Sequence, residues 1–241
     1  MKKLALILML GLVAAMPAFA DDDADAKSDA KTAPIPKELK SVTRHSVSVD
    51  GKSMSYEATA GTLLIKDDKD EAVASMFYVA YTSGDNKRPV TFIFNGGPGS
   101  SSMWLHMGSF APVRVITPDA QPTPPSPYNL APNAYTLLDK SDLVFVDAIG
   151  TGFSRIVGKG EPKDFYGVDQ DVSAFGRFIQ RYISQNDRWN SPKFLLGESY
   201  GTTRAAGLSA WLEGKGIALN GVVLVSSWLD PYVDFFGPNY A

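Results

Sequence analysis

The stretch from Ser191 to Gly201 limits what this chain can fold into more than any other. It reads Ser-Pro-Lys-Phe-Leu-Leu-Gly-Glu-Ser-Tyr-Gly, a short apolar strand followed by a Gly-x-Ser-x-Gly pattern. A helix-like run begins near Tyr200, so the chain must turn sharply from strand into helix. Gly197 and Gly201 permit this turn because no side chain fits where strand and helix nearly touch. The pattern predicts that Ser199 stands as a nucleophile at the tip of this turn, which is called a nucleophile elbow.

A second glycine-rich loop, residues 95–102, follows the apolar strand Val90 to Phe94. It reads Asn-Gly-Gly-Pro-Gly-Ser-Ser-Ser. An ordinary tight turn needs only one or two such residues, so this density favours a functional loop. Such a backbone approaches a ligand closely and directs amide hydrogens at it, as an oxyanion hole requires. The serine pattern alone arises by chance often, but the two loops together indicate a site.

Composition limits the class of protein. With 241 residues, 44% of them hydrophobic, the chain can bury a core as one α/β domain. A formal net charge of −3 argues against nucleic acid as a partner. No cysteine occurs, so neither a disulfide nor a lipidated N-terminus is expected. No motif indicates a metal or a cofactor.

The N-terminus has the pattern of a cleavable export signal. Two lysines precede an apolar run from Leu4 to Ala15, and Ala18-Phe19-Ala20 forms a small-x-small cleavage site. A membrane anchor is the alternative, but the apolar run is short for a bilayer span. We therefore expect residues 1–20 to be removed, which leaves a bacterial periplasmic or secreted protein without a membrane segment.

Composition changes twice along the rest of the chain. Residues 21–40 are rich in Asp, Ala, Lys and Pro and lack apolar periodicity, which predicts a disordered, solvated linker. Residues 41–241 read as a folded domain. Its first part alternates in the manner of antiparallel strands, beginning with a hairpin around Asp50-Gly51. The predicted strands are 42–49, 54–59, 62–66, 72–82 and 90–94.

The second half of the domain alternates strands with helices. Short apolar runs at Leu143 to Val146 and Val222 to Val225 predict buried strands. Between them, apolar residues recur at helical spacing from Val168 to Ile183, which predicts an amphipathic helix packed on the sheet. Its charged residues, Asp171 among them, are expected to point away from the sheet.

Three motifs in this order and separation resemble those of the serine carboxypeptidases, peptidases of the α/β-hydrolase fold. They are Asn95-Gly-Gly-Pro-Gly-Ser-Ser, Phe145-Val-Asp-Ala-Ile-Gly-Thr-Gly-Phe-Ser154 and Gly197-Glu-Ser-Tyr-Gly201. The resemblance extends from about Val90 to Pro231. It implies an α/β-hydrolase fold in which N-terminal antiparallel strands lead into a parallel sheet with flanking helices.

The resemblance also implies how such a site would react. Ser199 would be the nucleophile that forms an acyl-enzyme, and the backbone N–H groups of Gly97 and Tyr200 would form the oxyanion hole. The substrate would be a peptide with a free C-terminus.

The terminal carboxylate of that peptide would be held by Asn95 and Glu198, with Gly96 beside them. A protonated Glu and an amide N–H can both donate hydrogen bonds to a carboxylate without adding a like charge. The alternative role for Glu198 is only to shape the turn.

This sequence differs from the family pattern in two places. Ser100 stands where many members have a disulfide-forming Cys, and the second acidic residue that shares a proton with the elbow Glu in those members is replaced near Ser109. The first difference means that the disulfide of those members cannot form, and the second argues against strict specificity for a free C-terminus.

The triad order in α/β-hydrolases is Ser, then Asp, then His. The two histidines, His45 and His106, precede Ser199, and Asp230 and Asp234 follow it too soon. We therefore expect the chain to be the N-terminal part of such a domain and to lack activity alone. Two alternatives remain at this point: another α/β-hydrolase, such as a proline iminopeptidase or an esterase, and an exported binding module with a silent serine.

Overall fold

A computed structural model describes residues 32–119, 121–123 and 125–230. The predicted signal peptide, the first part of the predicted linker (21–31) and Asp234 lie outside these residues. The strands are β1 (Lys40–Val49), β2 (Lys52–Lys66), β3 (Ala72–Thr82), β4 (Val90–Phe94), β5 (Val113–Val115), β6 (Leu130–Pro132), β7 (Asp142–Val146), β8 (Arg155–Ile156), β9 (Lys193–Glu198) and β10 (Gly221–Val225). The helices are α1 (Met103–Leu105), α2 (Val168–Gln185) and α3 (Tyr200–Gly214), with a π-helical turn at His106–Phe110 and 3-10 turns at Leu137–Asp139 and Pro162–Asp164.

The main sheet has the order β1-β2-β3-β7-β4-β9-β10, with β8 paired to β3, and β5 and β6 form a separate pair. Strands β1, β2 and β3 form an antiparallel meander, and β3 pairs antiparallel to β7. From β7 onward the neighbours β4, β9 and β10 run parallel. This change from antiparallel to parallel strands is the predicted architecture.

The predicted hairpin forms as β1 and β2, with Val47 opposite Met54. Asp50 and Gly51 both have positive φ, at 49° and 74°, as a tight hairpin turn of this kind requires. One detail of the prediction is wrong, because residues 54–59 and 62–66 belong to the single long strand β2. The strand continues through Gly61, which pairs with Lys40 of β1 on one side and with Tyr78 of β3 on the other.

Helix α2 packs on the sheet through the residues that the periodicity identifies, since Val172, Phe175 and Ile179 are all buried. Asp171, in contrast, does not point away as predicted: its carboxylate pairs with Arg204 of α3. No helix in the described ranges combines the length and the apolarity needed to cross a bilayer.

The described end of the predicted linker touches the domain. The Glu38 carboxylate accepts the Leu64 N–H at 2.7 Å and pairs with Arg181 at 2.9 Å, and Ala33 forms a bridge with Gly158. The boundary at residue 41 stays a prediction, but residues 33 and 38 already bind to the fold.

Strand β10 forms one edge of the described sheet, because it pairs with β9 and has no second neighbour among the described strands. Its side chains Val222, Val223 and Leu224 are 39%, 47% and 40% exposed. An apolar strand with a row of unpaired backbone groups is prone to pair with other chains.

Candidate active site

Ser199 occupies the sharp turn between β9 and α3, with φ 56° and ψ −125°. A non-glycine residue in this region is strained and persists only where its surroundings hold it. Here the Ser199 carbonyl accepts hydrogen bonds from the N–H and the hydroxyl of Thr202, at 2.9 and 2.7 Å. The Ser199 N–H donates to the carbonyl of Val225 in β10 at 3.0 Å. A Cβ added to Gly197 would overlap the Gly201 carbonyl, and a Cβ added to Gly201 would be 2.9 Å from the Phe94 carbonyl oxygen. Each glycine of the pattern is therefore required by a close backbone contact of its own.

The glycine-rich loop after β4 lies directly against this turn. A Cβ at Gly96 would be 2.5 Å from the Tyr200 nitrogen and 2.7 Å from the Glu198 carbonyl oxygen. Gly97 has φ 108°, a conformation that L side chains rarely adopt. The loop therefore packs against Tyr200 at Gly96, the residue that precedes Gly97. The N–H groups of Gly97 and Tyr200 are the ones predicted to form an oxyanion hole.

Asn95 and Glu198 contact each other, as their predicted shared role requires. The Asn95 Nδ2 donates to Glu198 Oε2 at 3.1 Å, while Asn95 Oδ1 accepts the Leu105 N–H at 3.2 Å. Because both ends of the amide have partners, the side chain of the buried Asn95 has a fixed direction.

A cleft of about 380 Å³ lies over these groups. It contains the predicted nucleophile and both predicted carboxylate-binding side chains, and among the described residues that line it Glu198 is the one ionisable group. Ser109, where the family resemblance leads one to expect a second acid, also lines it. The lining residues are Asn95, Gly97, Ser100, Trp104, Leu105, Ser109, Glu198 and Ser199.

Trp104 belongs to none of the three motifs, yet it lines the cleft, and the residue is 66% exposed. It lies in α1, the short helix that follows the glycine-rich loop. Its position directly after that loop is a sequence signal that could have identified it, because loops of this kind carry binding residues.

Asp147, in the motif from Phe145 to Ser154, fixes the far end of the glycine-rich loop. Its Oδ1 accepts both the N–H and the hydroxyl of Ser102 at 2.8 Å. A Cβ at Gly152 would overlap the same carboxylate, so this glycine makes room for the aspartate. No feature of the sequence predicted this contact beyond the resemblance of the whole motif.

Neither histidine is arranged as a base for Ser199. His106 Nε2 bonds to the Tyr81 hydroxyl at 2.7 Å, and its ring stacks on Phe145 with 4.6 Å between the centroids. Burial lowers the pKa of His106 to about 4, although the nearby Asp147 acts in the opposite direction. His45 lies on β1 and bonds to Thr43.

Burial, followed by the neighbouring Asp171 carboxylate, raises the pKa of Tyr200 to about 12, so its hydroxyl stays neutral. Among the residues that the structure describes, no group of three or more His, Cys, Asp or Glu side chains is placed to hold a metal ion.

Comparison with known proteins settles the family. The sequence model of the family described as serine carboxypeptidase matches residues 50–236. The chain belongs to the serine carboxypeptidase family. The pheromone-processing carboxypeptidase KEX1 of Saccharomyces cerevisiae is 28% identical in an alignment of length 185 that covers 68% of this chain and 24% of that relative. Serine carboxypeptidase-like 45 of Arabidopsis thaliana is 26% identical in an alignment of length 149 that covers 60% of this chain and 30% of that relative.

The fold of this serine carboxypeptidase family member also matches a solved structure. The crystal structure of Kex1(delta)p, a prohormone-processing carboxypeptidase from Saccharomyces cerevisiae, aligns with a TM-score of 0.56 at 22% identity. The alignment covers 74% of this chain and 40% of that one, and it confirms the predicted α/β-hydrolase fold. The chain thus spans 24% and 30% of the lengths of the two curated relatives.

Proposed function

We propose that this protein provides the nucleophile, the oxyanion hole and the carboxylate-binding groups of an exported serine-type carboxypeptidase. The observation that carries the proposal is that one cleft holds Ser199 together with the hydrogen-bonded pair Asn95 and Glu198. A nucleophile beside a carboxylate-binding pair suits cleavage of the last peptide bond of a chain. The triad acid and base would come from residues outside the 241 of this sequence.

In the proposed reaction the Ser199 Oγ attacks the carbonyl carbon of the last peptide bond while the base takes the hydroxyl proton. The carbonyl oxygen becomes an oxyanion, which accepts hydrogen bonds from the N–H groups of Gly97 and Tyr200. The C–N bond then breaks, the base returns its proton to the departing amine, and the C-terminal residue leaves. Water then attacks the carbonyl carbon of the ester with Ser199 while the base takes a proton from it. The ester bond breaks, the base returns the proton to the Ser199 Oγ, and the shortened peptide leaves.

Asn95 and Glu198 would distinguish a terminal carboxylate from an ordinary peptide group. Asn95 Nδ2 is a donor at every pH, whereas Glu198 donates only when protonated. An ionised Glu198 in the cleft would repel the substrate carboxylate. We therefore propose that cleavage is favoured at acid pH.

Replacing Glu198 tests this function in the protein from the complete reading frame. The unchanged protein should cleave an N-acylated dipeptide with a free C-terminus at a higher kcat/KM than the same dipeptide with a C-terminal amide. Glu198→Ala should reduce this preference by about 10- to 100-fold, the effect of a lost hydrogen bond to a charged group. Glu198→Gln should keep much of the preference and flatten the acid-favoured pH profile, because an amide donates at every pH.

Ser199→Ala is the control, and it should abolish cleavage of both peptides. An unchanged pH profile in Glu198→Gln would contradict the protonated-acid role. Cleavage restricted to peptides with a free N-terminus would favour an iminopeptidase instead. Failure of Ser199 to react with a fluorophosphonate in the complete protein would favour a binding module.

Export is a second part of the proposal, supported by the pattern of residues 1–20. Cleavage after Ala20 should leave Asp21 as the first residue of the mature protein in the periplasm or the medium. Intact-mass measurement and N-terminal sequencing of the exported pool check this directly. Finding Met1 retained in that pool would contradict it.

A further inference from the structure

Arg204 is a charged side chain that the proposed chemistry does not use, although it is fully buried beneath the candidate site. It lies on α3, one turn after Tyr200. Its Nε and Nη2 donate to the two carboxylate oxygens of Asp171 on α2, at 2.7 and 3.2 Å. Its guanidinium carbon lies 4.3 Å from the ring centroid of Phe175 and 5.2 Å from that of Tyr200.

The third nitrogen of this guanidinium, Nη1, contacts the glycine-rich loop. Arg204 Nη1 donates to the backbone carbonyl of Asn95 at 2.8 Å. Asn95 is the first residue of the glycine-rich loop, and the next residue, Gly96, is the one packed against the Tyr200 nitrogen. One side chain therefore connects α2, α3 and the beginning of the loop that supplies the predicted oxyanion hole.

Stability alone is a weak reason for this arrangement. A buried ion pair loses the hydration of two charges, and well-packed apolar residues in its place are often as stable or more stable. A planar guanidinium does offer something that apolar residues cannot, namely donors in fixed directions toward two acceptors at once.

We propose that Arg204 and Asp171 form a positioning pair, which orients the Asn95 carbonyl and thereby the Gly97 N–H and the Asn95 side chain. This inference rests on the proposed function of the cleft. Asp171 fixes the plane of the guanidinium, and Arg204 fixes the first peptide group of the loop. Asp147 holds the other end of the loop at Ser102, so the glycines between are fixed from both sides.

The double variant Arg204→Met/Asp171→Leu separates positioning from stability. It removes both charges, so no unpaired ion stays buried, and the thermal midpoint should fall less than in Arg204→Met or Asp171→Leu alone. The Asn95 carbonyl nevertheless loses its donor. We expect kcat in the complete protein to fall by about 100-fold, the effect of a displacement of about 1 Å at a reacting centre, with a much smaller change in KM.

Reaction of Ser199 with a fluorophosphonate gives a second readout that does not depend on peptide recognition. Its rate should fall in the double variant by a factor similar to that for kcat, because the phosphonyl oxygen occupies the same oxyanion hole. If the unchanged protein reacts with the probe but cleaves no C-terminal residue, the proposed function fails while the positioning role can still be measured.

Arg204→Lys with Arg188→Lys provides a matched pair. Arg188 is also buried, pairs with Asp142 at 2.7 Å and donates to the carbonyl of Arg88. It lies where β4 and β7 begin, whereas the candidate site lies where these strands end. A lysine keeps the charge but cannot fork to both acceptors. Arg204→Lys should therefore slow labelling of the folded protein, whereas Arg188→Lys should lower stability and leave the labelling rate unchanged.

Two results would overturn the inference. One is a folded double variant that labels and turns over at the rates of the unchanged protein. The other is equal labelling of Arg204→Lys and Arg188→Lys per folded molecule, which decides the matter even if the double variant does not fold.

Discussion

Polypeptide 1–241, purified alone, should leave an N-acylated dipeptide uncleaved, although it carries Ser199. The reason is the state of its two histidines: His106 is bonded to Tyr81 and stacked on Phe145, and His45 lies on β1. With no base to accept its proton, a serine hydroxyl is a poor nucleophile. Loss of the triad histidine costs about 10⁶-fold in kcat in a well-studied serine protease, and we expect a loss of that order relative to the complete protein.

The measurement is turnover of the same peptide by polypeptide 1–241, by its Ser199→Ala variant and by the complete protein. Any rate that survives in Ser199→Ala is background. Turnover at an ordinary enzymatic rate that disappears in Ser199→Ala would contradict the prediction. In that case His106→Gln would show whether His106 leaves Tyr81 to act as the base.

The second large effect concerns Gly96, which should tolerate no side chain. A methyl group there would be 2.5 Å from the Tyr200 nitrogen and would push the loop away from the elbow. Overpacking typically costs about 1–3 kcal/mol of unfolding free energy, and we expect the upper end here because the added methyl group would meet backbone atoms rather than a flexible side chain. The oxyanion hole would also open, and loss of one of its donors typically lowers kcat by about 10²- to 10³-fold.

Gly99→Ala is the matched control for Gly96→Ala. Gly99 belongs to the same loop, yet a Cβ there would meet no atom within 4 Å. Chemical denaturation and fluorophosphonate labelling of both variants in the complete protein test the pair. Equal behaviour of the two variants would show that the loop does not depend on its contact with the elbow.

The elements that the sequence predicted well are those with a strong local signal. Alternation defined β1 and β3, an apolar run defined β4, and the spacing of apolar residues defined α2 to within two residues of its end. The elbow was predictable because the geometry at Ser199 depends on the two neighbouring glycines. Turn chemistry and periodicity act over a few residues, and they are readable for that reason.

The contacts that hold the candidate site join residues far apart in the chain. Asp171 was assigned to the outward face of α2 from its polarity, but its partner Arg204 comes from a different helix. Asp147 and Ser102 are likewise distant in sequence and meet because they follow the neighbouring strands β7 and β4. Periodicity reports whether a residue is polar, but it does not say which distant charge or amide will compensate its burial.

The Ser199 N–H donates a hydrogen bond to the Val225 carbonyl, so the geometry of the nucleophile depends on a strand that is synthesised later. Val225 belongs to β10, which is synthesised after α3 and pairs with β9 beside the elbow. While a ribosome is still producing α3, this support for the strained turn does not yet exist. The serine therefore reaches its final geometry only after β10 has emerged and paired, so a nascent chain presents a finished nucleophile late rather than early.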